Sequence, residues 1–135
     1  MRKGLSPIEL LITAVGIGAL TTAAMVKFSG TKDEEAIASM KLDLRRYMEA
    51  QSSHFSAYDR YASATRASGA PDPATLVFAP TAGNALGTPS TTVNGFHVTI
   101  RSASLATART CGIYVGTATP QGMPARVNEG EAACW

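Results

Sequence analysis

The chain predicts an α+β fold. A long N-terminal α-helix, hydrophobic in its first half and amphipathic in its second, packs on a small antiparallel β-sheet, and a C-terminal loop is bounded by two cysteines. Three observations predict this. A charge-free apolar run from Leu10 to Val26 gives way beyond Phe28 to apolar residues at helical spacing. Two segments with period-two alternation follow beyond residue 95. The chain's only cysteines, Cys111 and Cys134, fall near its end.

The apolar run is 17 residues from Leu10 to Val26, or 22 from Leu5 with Glu9 as its one interruption. At about 1.5 Å per helical residue the longer segment spans roughly 33 Å, enough for a bilayer core. Arg2 and Lys3 precede it and favour a cytoplasmic N-terminus with the C-terminal bulk outside. Gly16, Gly18, Thr21 and Thr22 are weak helix formers in water and are better tolerated in a membrane or a packed bundle.

Three readings compete for this segment. A cleavable secretory signal has a small-residue cut site available at Thr22-Ala23-Ala24, but Pro7 and Glu9 stand where its continuous apolar region should begin. A plain single-span anchor tolerates Glu9 near the headgroups, where the mid-membrane penalty of about 2.5–3.5 kcal/mol does not apply. Neither gives Glu9 a task.

The third reading does. Gly4-Leu5-Ser6-Pro7-Ile8-Glu9-Leu10 resembles the cleavage and methylation signal of type IV prepilins and type II secretion pseudopilins. The resemblance implies a leader of residues 1–4, cleavage by a prepilin peptidase between Gly4 and Leu5, and N-methylation of Leu5. Glu9 is then the fifth residue after the cut, the family's glutamate position. An unpaired carboxylate is costly in a lipid-like setting, and an ion pair with a neighbouring subunit's Leu5 amine relieves both charges. Such a pair assigns Glu9 to subunit assembly, by fixing axial register. The chain departs from the family pattern at Leu5, usually phenylalanine, at Ser6, commonly threonine, and at Pro7, commonly leucine. Proline in a first helical turn forfeits no hydrogen bond. Val26 stands where the family often has a proline, ahead of the retained Lys27-Phe28.

Beyond this helix core (residues 5–28) lies the expected head, 29–135. Ile37, Met40, Leu44, Tyr47, Met48, Gln51 and Phe55 form one helical stripe. Lys32, Asp33, Glu35, Lys41, Asp43, Arg45 and Glu49 largely take the remaining surface. Ser29-Gly30-Thr31 marks a break or, with Glu34, a capping box; the favoured reading is one helix from about Ser6 to about Tyr61. Ala62 to Pro73 reads as loop, Thr75 to Phe78 as a short strand, and Pro80 to Thr92 again as loop. Asn94-Gly95 is a turn signal before a strand in which Phe96, Val98 and Ile100 alternate with His97, Thr99 and Arg101. Cys111, Ile113 and Val115 mark a second strand, and Thr119 to Trp135 reads as coil.

In an exported chain the cysteines read as one disulfide, and in a reducing cytosol as two thiols. The resemblance to pilins implies the Cys111–Cys134 bond around a surface region. On a head of this size, whose core is necessarily small, that closure adds about 3 kcal/mol by the chain-entropy estimate.

Composition excludes some functions. The net charge of +2 comes from Arg2 and Lys3; a chain cut after Gly4 keeps ten basic and ten acidic residues and offers no electrostatic case for nucleic-acid binding. No catalytic constellation, cofactor motif or metal site is visible. His54 and His97 read as surface histidines. Two cysteines and two histidines lack zinc-finger spacing. Glu129 and Glu131, beside Asn128 and Gly130, read as a solvated acidic turn in preference to the Ca²⁺ loop of major pseudopilins.

The expected function is therefore structural and not enzymatic: a subunit of a type IV pilus-like filament, inserted in the inner membrane before assembly and extracellular afterwards. The partners implied are other copies of the chain, the prepilin peptidase and the inner-membrane assembly machinery. A pseudopilin or competence pilin is the alternative within the family. A membrane-tethered binding module that never polymerises is the alternative of a different class.

Overall fold

The computed structural model describes the backbone of residues 7–135 and the side chains of residues 32–135. The expectations for Gly4, Leu5, Glu9 and the apolar run fall outside the residues whose side chains are described. The chain divides into two compact units, Met1–Lys32 and Asp33–Trp135. Among the described residues no helix is long and apolar enough to cross a membrane.

One helix, α1, has the bounds Pro7–Tyr58. Its end falls three residues before the expected Tyr61, and Asp59 is the reason. Asp59 takes a left-handed backbone (φ 56°) and its N–H closes the last turn on the Phe55 carbonyl at 2.8 Å. Aspartate is among the few non-glycine residues that visit this conformation readily, so the helix stops there. The chain reverses, and Tyr61 comes back to lay its ring 4.7 Å from Phe55 and 5.0 Å from Phe96.

The segments expected to be loops contain short strands. β1 (Ala64–Arg66) pairs in parallel with β2 (Thr75–Val77) as a separate two-stranded sheet. β3 (Asn84–Leu86) and β4 (Ser90–Thr92) lie in turn along one edge of β5 (Gly95–Ser102). Gly87 links them by donating to the Thr99 carbonyl at 2.7 Å. β6 (Cys111–Val115) pairs with the other edge of β5, and β7 (Ala133–Cys134) pairs with β6. Every pairing in this five-stranded sheet is antiparallel. The hairpin between β4 and β5 turns on Val93-Asn94, because Thr92 is paired with Gly95. The expected Asn94-Gly95 turn is thus displaced by one residue. Gly95 is required for another reason: a Cβ there would collide with the Val115 carbonyl oxygen of β6.

The core is where the inner face of α1 meets the inner face of this sheet. Met40, Leu44 and Tyr47 from the helix are fully buried with Phe96, Val98, Ile100, Cys111 and Ile113 from β5 and β6. Burying side chains of this size stabilises by about 1.5–3 kcal/mol each. Tyr47 lies edge-on to both Phe78 (5.3 Å) and Phe96 (6.0 Å), which joins the small sheet's exit to the large sheet. The buried stripe is turned slightly from the expected one. Ala36, Asp43 and His54 are buried, whereas Ile37, Met48 and Phe55 are half-buried at its flanks.

Candidate functional site

Among the described residues, buried polar side chains gather on the inner face of α1, and the disulfide bounds the C-terminal segment. Asp43, Tyr47, Gln51 and His54 recur at spacings of four, four and three, so they present to one side of the helix.

Asp43 was expected on the outer surface and is instead fully buried. Its carboxylate accepts from the Thr81 N–H (2.8 Å), the Thr81 hydroxyl (2.9 Å) and the Asn84 amide (2.8 Å), with Arg46 at 3.3 Å. A buried carboxylate is tolerated only when donors replace its water, and these do. Asn84 also reaches Ser39 at 3.0 Å, so the entry to β3 is sewn to α1.

A turn further on, Gln51 pairs with both backbone groups of Ala62, accepting from its N–H and donating to its carbonyl, each at 2.9 Å. Its amide also donates to the Tyr47 hydroxyl at 2.9 Å, which lies 3.1 Å from the Thr65 hydroxyl. Burial pushes the Tyr47 phenol above its ordinary range, against the smaller opposing effect of those two hydrogen bonds. His54, expected at the surface, is 4% exposed. Its Nδ1 lies 3.0 Å from the Arg60 carbonyl and its Nε2 2.9 Å from the Asp72 carbonyl. His97 is half-buried on β5, with its Nδ1 shielded from solvent.

Cys111 and Cys134 are bonded to each other, with Cα atoms 3.9 Å apart. Thr110 and Trp135 exchange both backbone hydrogen bonds, which makes Cys111 and Cys134 the adjacent non-hydrogen-bonded pair. That is the closer of the two antiparallel pair types, and it suits a bridge. The enclosed segment is better anchored than plain coil. Tyr114 donates its hydroxyl to the Val127 carbonyl at 3.0 Å, Gly130 donates to the Tyr114 carbonyl at 2.9 Å, and Trp135 packs against Gly112 and Gly122.

The acidic turn uses its carboxylates internally. Glu129 accepts from the Gly116 N–H at 2.8 Å and Glu131 from the Asn128 N–H at 3.2 Å. Among the described residues no group of three or more His, Cys, Asp or Glu side chains is placed to hold a metal ion.

Among the described residues, two open depressions lie near the small sheet. One of about 410 Å³ lies between β1 and the β3–β4 edge, lined by Thr65, Arg66, Phe78, Pro80, Leu86 and Pro89. Its only cation, Arg66, is already engaged by the Ala70 carbonyl and the Asp72 carboxylate. The other, about 420 Å³, lies beside Asp59, Arg60 and the hairpin tip at Val93.

Sequence reasoning missed Asp43 and His54. The signal available was the spacing, since both continue the series through Met40, Tyr47 and Gln51, and only their polarity argued for the outside. Comparison of the chain with protein-family models, with curated proteins and with solved structures gave no match.

Proposed function

We propose that this chain is a structural subunit of a type IV pilus-like extracellular filament. On this reading a prepilin peptidase cuts between Gly4 and Leu5 and methylates Leu5. The subunit waits in the inner membrane on its helix of residues 5–28 until the assembly machinery packs it against earlier copies. The observation that carries the reading is the register of four features in one short stretch: the basic leader, Gly4, Glu9 and the apolar run.

The head supports it. A helix face buried on an antiparallel sheet, with a C-terminal disulfide, is the arrangement the resemblance implies. A bonded cysteine pair also fits an oxidising compartment outside the cytoplasm. The polar row on α1 serves a scaffold: it fastens loops to a helix that has to transmit position along a polymer.

Intact-mass measurement on protein sheared from the cell surface as filaments tests the reading. The expected mass lacks Met1 to Gly4 and carries one added methyl group. Cleavage after Ala24 would replace the reading with an ordinary secretory signal. Correct processing without entry into any filament would favour the membrane-tethered binding module. A type II secretion pseudopilin or competence pilin would share the processing and differ in which filament contains it.

A further inference from the structure

The depression of about 420 Å³ beside the end of α1 gathers side chains that the fold itself leaves unused. Asp59 and Arg60 line it, together with Tyr61, Pro73 and Val93. Among the described residues, neither the Asp59 carboxylate nor the Arg60 guanidinium has an ion-pair or hydrogen-bond partner, and both residues are exposed. Val93 is 89% exposed. It occupies a two-residue hairpin turn, where glycine, asparagine or aspartate is the usual choice. A lone exposed valine is ordinary on a protein surface. Here it shares the rim of one depression with two opposite charges that nothing in the chain satisfies.

The backbone fixes the base from which those charges leave. Asp59 is held in the left-handed conformation that ends α1, with its N–H on the Phe55 carbonyl. Tyr61 is anchored by its ring contacts with Phe55 and Phe96. Arg60 stands between these two fixed neighbours.

We propose that this depression binds a small zwitterion of peptide type, an amino acid or dipeptide with free ends and an apolar side chain. The Arg60 guanidinium takes the carboxylate through two parallel N–H···O bonds. The Asp59 carboxylate takes the ammonium, and Tyr61 and Val93 meet the apolar part. A ligand of one sign satisfies one of the two charges and is repelled by the other, whereas a zwitterion satisfies both. The volume falls within the range of small-molecule sites. The site is open to solvent, so each ion pair contributes at most about fivefold in affinity, and the dissociation constant belongs at about 1–10 mM. This inference goes beyond the filament reading and does not depend on it.

The test titrates the full-length, ¹⁵N-labelled chain in detergent micelles with the dipeptide leucyl-leucine, up to about 20 mM. Amide signals of Arg60, Tyr61, Ala74 and Val93 should shift and saturate, while those of β6 stay in place. The same dipeptide acetylated at its amine and amidated at its carboxyl carries neither charge and should bind about tenfold more weakly. Asp59→Asn should weaken binding of the free dipeptide about threefold to fivefold. It should leave the helix end unmoved, because asparagine also adopts the left-handed conformation. Arg60→Gln should weaken binding by a similar factor. Absence of saturable shifts at these residues would overturn the proposal, as would equal binding of the capped dipeptide or wild-type affinity in both variants. Shifts of the same amides on raising the protein concentration alone would give the depression to a second copy of the chain, and overturn it too. The comparison of the two dipeptides uses the wild-type chain, so the proposal stays testable if a variant does not fold, and filament yield plays no part in it.

Discussion

Asp43 shows how much one residue's position decides. Its three close donors come from the backbone and side chain of Thr81, in the connection between the two sheets, and from Asn84 at the start of β3. Hydrogen bonds to a buried charged group contribute about 1.5–3 kcal/mol, whereas an ion pair to a largely exposed partner contributes about 0–1 kcal/mol. The Arg46 guanidinium is more than half exposed, so it belongs to the second class. Asp43→Asn should therefore destabilise the head by about 2–3 kcal/mol, because its amide turns a donor toward donors. Arg46→Ala should cost less than about 1 kcal/mol. Thermal unfolding followed by near-ultraviolet circular dichroism checks both, and equal losses would contradict this ranking. Tyr47 adds a pH limit. Its phenol is raised above the ordinary value of 10.0 mainly by burial, so the neutral form is favoured in the fold. Its contribution is whole below the ordinary tyrosine range and is lost as pH rises through the higher folded value. Unfolding should accelerate in strong alkali in wild type, and less so in Tyr47→Phe.

The strands and the helix end are set by backbone fits that composition does not display. Gly95 lies against the Val115 carbonyl, and a Cβ on Gly112 would stand 2.9 Å from a ring carbon of Trp135. The two differ in what can yield. The Val115 carbonyl is held in the β5–β6 ladder, so Gly95→Ala should break the hairpin register and cost at least about 2 kcal/mol. At Gly112 the nearest atoms belong to the Trp135 ring, which can swing, and the Val98 carbonyl is farther at 3.3 Å, so Gly112→Ala should shift the tryptophan fluorescence to the red with a smaller loss of stability than Gly95→Ala. Because Trp135 is the chain's single tryptophan, the reading is unambiguous. Period-two alternation made β5 and β6 legible, and helical spacing did the same for Met40, Leu44 and Tyr47. Both are properties of a face that meets a broad core. β1, β3 and β4 were not legible, since three-residue strands amid Gly, Ser and Thr carry no period and exist through their partners. Asp43 and His54 were hidden for a related reason. Their donors and acceptors, Thr81, Asn84, Arg60 and Asp72, come from segments whose paths no local pattern specifies.

For the chain taken as a filament subunit, the head and the N-terminal segment should fail separately. The head's core is built from α1 beyond Ala36 and from β5 and β6, and its polar row begins at Asp43. Cys134→Ser should therefore release the C-terminal segment, at about 3 kcal/mol by loop-closure entropy, while far-ultraviolet helix content is retained. Glu9 belongs to the N-terminal segment. Its carboxylate, on the filament reading, meets the Leu5 amine of a neighbouring copy in an apolar surrounding. Repeated head-to-tail contacts of that kind, with a rotation that does not close, build a helix. Glu9→Gln keeps the size of the side chain and removes the charge. The incoming amine then stays unpaired, at a cost of about 3–5 kcal/mol for a broken buried pair, which at each addition is enough to stop growth. The variant should reach the membrane, fold its head and form the Cys111–Cys134 bond at wild-type levels. Filament counts by electron microscopy, at matched membrane abundance, should fall at least a hundredfold by that energy. Wild-type numbers from the Gln variant would remove Glu9 from assembly and leave the tethered module as the better account of the apolar run.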